Sequence, residues 1–333
     1  MLRWAIIGTG FISNTVVEAI AASEGSRVEL VAGRDASRVD DFASQHSIPR
    51  SCVGYEAAVE DPDVDVVYVG TPNHTHHEIV GAAAAAGKAI LSEKSLTTTM
   101  ETAHDLVDSV AGRVLFVEGL MYLAHPVVER FVELLAEDRT GTITAVHARY
   151  AADIAAVVNP LGRGTIYNLG CYPASLLHLT IQSAFGDELF RRRALEGHGT
   201  RTPDDTIGSA GASVRFENGT LATLSSTDDY GMAHDFTVLT TTGELRFETN
   251  PWLPEAGENR LRWTPYDGEP ETIAVSGGGG DAFVHQVRLV ERCLAEGRTE
   301  APRPSPRLRD SVEIMELLTD WEAACWRGGS LGR

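Results

Sequence analysis

The feature that most constrains this chain is a glycine-rich turn, Gly8-Thr9-Gly10-Phe11-Ile12-Ser13, set directly behind the apolar run LRWAII. The run reads as a buried strand and the stretch after the turn as a helix. Strand, glycine turn and helix in that order form the context in which amides at a helix N-terminus hold a pyrophosphate. Gly8 permits the tight turn, and Gly10 lets the backbone come close to the phosphates. Ser13 stands where a third glycine is usual; that glycine serves helix-to-strand packing, so a small serine can replace it. The turn predicts dinucleotide binding, with Gly8, Thr9, Gly10, Phe11 and Ile12 as the cradle. An ordinary turn is the competing reading, and the strand before and helix after weigh against it.

The same rhythm continues to about residue 118. The runs VELVAG, VDVVYVG, KAILS and VLFVE alternate with helix-like segments, which predicts an α/β domain with a parallel sheet over residues 1–120. GAAAAAG at 81–87 reads as one packed helix. Beyond Leu120 the pattern becomes α+β. Strands are expected near 142–151, 206–216, 219–228 and 235–248, and a long helix near 165–184. The stretch 250–280 is rich in Pro, Gly and Trp and predicts a long loop with a short strand at ETIAV. Two helices close the chain, near 281–297 and 308–326. Residues 121–333 thus form a second domain, whose last helix can pack back on the first, and 333 residues suit two cores better than one.

Lys and Arg total 28 against 47 Asp and Glu. That balance repels nucleic acid and anionic membranes, so an anionic cofactor needs a local basic pocket. No segment strings together the roughly 20 apolar residues of a membrane span, and LRWAII is better used as a strand than as a signal sequence. A cytoplasmic protein is expected. Cys52, Cys171, Cys293 and Cys325 form no CxxC pair, which argues for reduced thiols rather than a zinc cage or disulfide framework.

Four further segments carry candidate chemistry. The second strand ends in VAGRDASR, where a carboxylate would select NAD(H) and arginine would meet the 2′-phosphate of NADP(H). Arg34 and Arg38 are four apart at a helix start and favour NADP(H), whereas Asp35 keeps NAD(H) open. GTPNHTHH at 70–77 follows the third apolar strand, at the carboxyl edge of the sheet. Thr71, Pro72, Asn73 and His76 are read there as polar contacts to cofactor or substrate; helix capping and a metal are the alternatives, and no further metal ligands are recognisable by spacing. No metal is expected. SEKS at 92–95 places Glu93 and Lys94 at the same edge, where a lysine can polarise a substrate oxygen. NLGCYPASLLH at 168–178 puts Asn168, Tyr172 and Ser175 on one face of a helix. Tyr172 is either a proton donor and acceptor or a packed tyrosine.

Taken together, GTGFIS, TPNHTH, SEK, EGLMYLAHP at 118–126 and GRGTIYNLGCYP resemble, end to end, the glucose-fructose oxidoreductase, inositol dehydrogenase and rhizopine-catabolism family. The likeness is nearest to the dimeric dihydrodiol dehydrogenase and NADP-dependent D-xylose dehydrogenase branch. It implies a Rossmann domain followed by an α+β domain with an open, mainly antiparallel sheet that binds substrate and forms a dimer or tetramer. It also implies Lys94 and Tyr172 as the catalytic pair, His76 as the histidine closing the TPN motif, and Arg34 as the 2′-phosphate ligand. Asn168, His125 and Arg163 fall at the substrate pocket. Three departures stand out. Ser95 replaces a proline, which argues against a cis bond at the lysine turn, because a non-proline cis peptide costs about 3 to 4 kcal/mol. Asn168 replaces an aspartate. Arg163 replaces a glycine, placing a cation at the substrate mouth or in an outward salt bridge.

The activity these residues imply is hydride transfer between a nicotinamide and a sugar, polyol, diol or related ketone. Tyr172 would take the hydroxyl proton with help from Lys94. A catalytically silent cofactor-binding protein, and a lyase or hydrolase using transient oxidation, are the other readings.

Overall fold

The computed structural model describes residues 1–327, which divide into two compact units. One is Met1–Ala124 with Ala282–Val312, and the other is His125–Asp281 with the chain from Glu313 onward. The first unit alternates β1 (Leu2–Ile7), α1 (Phe11–Ala21), β2 (Ser26–Gly33), α2 (Ala36–Gln45), β3 (Arg50–Val53), α3 (Glu56–Val59), β4 (Val66–Val69), α4 (His76–Ala85), β5 (Ala89–Glu93), α5 (Met100–Val110) and β6 (Phe116–Gly119). Its strands are all parallel in the order β3-β2-β1-β4-β5-β6. The order reverses between β1 and β4, and ligands of such sheets bind outside the carboxyl ends at that reversal. Five strands coincide with the apolar runs; β3 does not, because its RSCV sequence is largely exposed and carries no apolar signature. Trp4, Ile6, Val66 and Leu91 are fully buried in the core.

The second unit holds α6 (Pro126–Leu135), β7 (Ile143–Asp153), α7 (Thr165–Asn168), α8 (Cys171–Phe185), β8 (Arg193–Arg201), β9 (Ile207–Phe216), β10 (Leu221–Thr227), β11 (Asp229–Thr240), β12 (Gly243–Phe247), β13 (Glu258–Pro265) and β14 (Glu271–Ser276). They form one open sheet, β14-β13-β12-β11-β7-β10-β9-β8, antiparallel except for the β7–β10 pair. Helices α7 and α8 pack on strands of this sheet, and α6 packs on α8.

The differences from the sequence reading have physical causes. The single strand expected at 235–248 is a hairpin of β11 and β12, turning at Thr241-Thr242, whose composition gives no turn signal. The loop expected at 250–280 contains β13 as well as the ETIAV strand; the charges of ENRLRWTP lie on its exposed side and hide its alternation. The long helix expected at 165–184 is broken after Asn168. The amides of Leu169 and Gly170 both donate to Thr165 O, at 2.8 and 2.9 Å, closing α7 before α8 begins. A side chain at Gly170 would run into the Ile166 carbonyl, so only glycine fits the break.

Two helices end the described chain, α9 (Ala282–Ala295) and α10 (Leu308–Arg327). The chain rejoins the first unit with α9 and the first turn of α10. Helix α9 packs on α1 and buries Val287, Val290 and Cys293 in the first core. The hydroxyls of Ser23 and Ser26 both donate to Glu291 Oε1 at 2.6 Å. Only the first turn of α10 belongs to that unit, where Asp310 Oδ1 pairs with Arg303 Nη2 at 2.9 Å. Among the described residues no helix is long and apolar enough to cross a membrane. All four cysteines are free thiols.

Candidate active site

The glycine turn has the geometry a dinucleotide requires. Gly8 adopts φ +107°, and a Cβ there would stand 2.8 Å from Gly70 O and 3.3 Å from Thr71 Cγ2. This is a left-handed backbone that only glycine adopts without strain, at the point where the ends of β1 and β4 meet. Ser13 is fully buried, and its Oγ lies 2.7 Å from where a Gly70 Cβ would sit. The serine in place of the third glycine is thus accommodated by the missing side chain at position 70. Gly10 is the N-cap of α1, with no side-chain cap and no acidic residue in the first turn. A Cβ on Gly10 would meet nothing within 4 Å. The uncapped, positive end of α1 therefore faces open space, as a pyrophosphate site demands. Phe11 is 87% exposed beside it.

At the end of β2, Asp35 caps α2, its Oδ1 accepting from the Arg38 amide at 3.0 Å. Its carboxylate is thereby committed to the helix. Arg34 and Arg38 are both exposed, and among the described residues neither guanidinium enters an ion pair.

His76 ties together the two loops that follow β4 and β5. It is fully buried. Its Nε2 lies 2.9 Å from Thr71 O, and its Nδ1 lies 3.1 Å from Ser95 O and 3.2 Å from Leu96 O. Burial pushes its pKa down to about 4, so the ring is neutral at physiological pH and donates from one nitrogen only, either to Thr71 O or to the Ser95 and Leu96 carbonyls. Thr71 and Thr75 hydroxyls are 2.8 Å apart, and Thr75 Oγ1 donates to Pro72 O at 2.7 Å. Asn73 begins a single 3₁₀ turn leading into α4. Thus His76, Thr71 and Pro72 shape the loop. The expectation of a trans bond at the lysine turn is corrected: the Lys94–Ser95 peptide is cis. Ser95 is buried and its carbonyl faces the His76 ring, so the neighbouring loop, rather than a proline, defines the turn.

Lys94 is half-buried, and its amide donates to Glu93 Oε2 at 3.3 Å. Glu93 Oε1 accepts from Tyr68 OH at 3.0 Å, and burial raises its pKa. A second buried carboxyl, Glu118, is the penultimate residue of β6, behind an apolar run much as Glu93 is, and that run alone gives it no functional signal. Burial pushes its pKa up to about 7. Ser92 pairs with Glu118 across β5 and β6, and Ser92 Oγ and Glu118 Oε2 are both buried without hydrogen-bond partners among the described residues.

In the second unit, Asn168 closes α7 and Tyr172 lies in the first turn of α8. Asn168 is half-buried, and its Nδ2 donates to Asp228 Oδ1 at 3.2 Å. The Tyr172 ring packs edge-on against Tyr150 at 5.2 Å and near Trp252 at 6.2 Å. Burial raises the Tyr150 pKa to about 12, so that phenol stays protonated. Ser175 donates to Tyr172 O at 3.1 Å within the helix. His125 is the N-cap of α6: its Nδ1 accepts from the Val127 amide at 3.2 Å, so its Nε2 carries the proton given to Glu255 O at 3.1 Å. Arg163 pairs with Glu322 at 2.6 Å and lies over the Tyr167 ring. Of the two readings of Arg163, the structure thus displays the salt bridge. Asp228, in the run SSTDDY, is a buried carboxylate bonded to Asn168 for which the sequence carries no local signal.

Comparison with known proteins accords with this geometry. Residues 2–118 match the oxidoreductase family with NAD-binding Rossmann fold, and residues 128–246 match the GFO/IDH/MocA C-terminal domain. The chain belongs to the Gfo/Idh/MocA oxidoreductase family, and its cofactor is a nicotinamide dinucleotide. It is 26% identical to trans-1,2-dihydrobenzene-1,2-diol dehydrogenase of Xenopus laevis over 325 residues, covering 96% of each chain. It is 27% identical to the Sus scrofa enzyme of that name over 332 residues, covering 96% of this chain and 95% of that one. The 3-ketoreductase KijD10 of Actinomadura kijaniata, solved with NADP and TDP-benzene, shares the fold at TM-score 0.84 and 22% identity, with 97% of each chain covered. Levoglucosan dehydrogenase, solved with NADH and levoglucosan, shares it at TM-score 0.82 and 19% identity over 98% of each chain.

Glu118 offers a test of the buried edge. Its pKa is raised from 4.5 to about 7, so the folded chain holds a proton that the unfolded chain releases in that interval. Its contribution to stability is full below the lower value and is lost as pH rises through the upper one. Relative to wild type, Glu118→Gln is therefore expected to gain in melting temperature as pH is raised across the interval. A difference independent of pH would show that the carboxyl titrates normally.

Proposed function

We propose that the protein is an NADP(H)-dependent dehydrogenase or reductase acting on the CH–OH group of a vicinal diol, sugar or related polyol. The observation that carries the cofactor choice is the pair Arg34 and Arg38, exposed beside the glycine turn while Asp35 is committed to capping α2. Two guanidiniums offer the fork geometry that a 2′-phosphate takes. NAD(H) remains the poorer alternative for the same crevice. The nicotinamide, when bound, supplies hydride acceptance and donation. Gly8, Thr9, Gly10, Phe11 and Ile12 present backbone amides to the pyrophosphate, and Thr71, Pro72, Asn73, His76 and Glu93 shape the edge next to it.

For the substrate, Lys94 polarises the reacting oxygen and Tyr172 takes or returns its proton. Asn168 accepts a hydrogen bond from a neighbouring hydroxyl. Tyr150 and Trp252 surround Tyr172 with apolar ring faces, which suit the C–H face of a sugar or cyclic diol. The diol dehydrogenases related to this chain support that substrate class. His125 and Arg163 act through the backbone and through Glu322, holding the pocket walls rather than the substrate.

The test is turnover of NADP+ on a panel of trans-diols, pentoses, hexoses and inositols. Lys94→Ala and Tyr172→Phe are each expected to lower kcat by about 10²- to 10⁴-fold, the range for lost acid-base assistance, with NADPH affinity unchanged by fluorescence titration. Full activity in both variants, or loss of NADPH binding in place of rate, would overturn the roles assigned to them.

The protein is also proposed to be a cytoplasmic homodimer. Free thiols suit a reducing compartment, and an open sheet of this size needs its second face covered. Light scattering is expected to give twice the chain mass of 35.9 kDa; a monomer mass at micromolar concentration would contradict the dimer.

A further inference from the structure

Asp228 lies between β10 and β11 and is 3% exposed. Its Oδ1 accepts from two side chains of α7, Asn168 Nδ2 and Thr165 Oγ1, each at 3.2 Å. Thr165 Oγ1 also lies 2.7 Å from Ser226 Oγ, and the Ser226 hydroxyl donates to Thr165 O at 3.1 Å. The backbone around the carboxylate is pinned as well. Asp228 N donates to Gly208 O at 3.0 Å, and Asp228 O accepts from the amides of Ile154 and Ala155, both at 2.9 Å. The carboxylate is held from α7, and the Asp228 backbone from β9 and the turn after β7, so the residue is a fixed point rather than a mobile surface group.

A carboxylate only accepts, whereas an amide side chain has one donating and one accepting end. Asn168 can approach Asp228 favourably in one orientation, with Nδ2 toward the carboxylate and Oδ1 turned away. Across residues 164–170, Asn168 is the one side chain that is not buried.

We propose that Asp228 is a positioning residue for the substrate. It fixes the Asn168 amide so that Oδ1 receives a hydrogen bond from a substrate hydroxyl. The subsite so defined takes a hydroxyl donor and disfavours an ether or a carboxylate at the same position. The proposal rests on the reading of Asn168 as a substrate residue given above.

The same contact makes Asn168→Asp unfavourable. Two carboxylates at hydrogen-bond distance cannot both ionise, and the pair retains a proton well above the usual carboxylate range. Exchanging the two groups, in Asn168→Asp combined with Asp228→Asn, restores one amide and one carboxylate. Full-length wild type, N168A, N168D, D228N and the double variant are to be melted across pH about 5 to 8 and assayed with NADP+ and trans-cyclohexane-1,2-diol. Relative to wild type, N168D is expected to lose melting temperature as pH rises, because the extra proton bound by its folded state is released. Its kcat/KM profile is expected to gain an ionisation. Both effects are expected to vanish in the double variant. D228N frees the amide and is expected to raise KM by up to about tenfold, the worth of one hydrogen bond, with little change in kcat.

Identical pH dependence of melting in N168D and the double variant would overturn the coupling, with or without turnover. An N168A variant with wild-type KM would remove the substrate reading on which the proposal stands. A raised KM in N168A together with a wild-type KM in D228N would overturn the positioning role alone.

Discussion

The first unit depends on the close approach of the chain after β1 to the chain after β4. Gly8 and Gly70 meet where a single Cβ on either would collide, with Gly70 O on one side and Ser13 Oγ on the other. Because the strand order reverses between β1 and β4, this contact lies at the mouth of the cofactor crevice. Helix α1 begins beside it at Gly10, with no side-chain cap and with room around the Gly10 Cα. Larger side chains here would fill the crevice and force apart the strands that define it.

From this point the loops are ordered by buried polar contacts. His76 bridges the turn after β4 to the turn after β5, so the backbone that presents Lys94 is shaped by a ring on a different loop. The neutral state of that ring follows from its burial. Glu93 and Glu118 add two buried carboxyl groups at the same edge, both with pKa values raised by burial. In the second unit the equivalent device is Asp228, which anchors Thr165 and Asn168 together.

The parallel sheet and its glycine turn were legible because apolar β-branched runs and glycines report directly on burial and backbone geometry. Short or charged strands such as β3, β8 and β13 were not, since their stability comes from neighbours rather than from their own pattern. The break between α7 and α8 escaped for a related reason: it is made by Gly170 packing against Ile166, a contact invisible in periodicity. Ser95 was misleading, because the turn takes its form from His76 rather than from the residue type at that position. Lys94 and Tyr172 stand out as candidates because they sit in short motifs, SEKS and NLGCYPASLLH, that resemble those of the family, while local spacing alone leaves their roles open. Asp228 does not stand out, because its relation to Asn168 spans 60 residues and exists only in the folded sheet.

The proposed preference of the dinucleotide crevice for NADP(H) is tested most directly by fluorescence titration with NADPH and NADH, on wild type and on Arg34→Ala combined with Arg38→Ala. Wild type is expected to bind NADPH at least tenfold more tightly than NADH. The double variant is expected to lose that preference while keeping its affinity for NADH, each lost charged hydrogen bond being worth about 1.5 to 3 kcal/mol. Equal affinities in wild type, or a preference that survives removal of both arginines, would contradict the role assigned to the end of β2. No binding of either nucleotide would contradict the crevice itself.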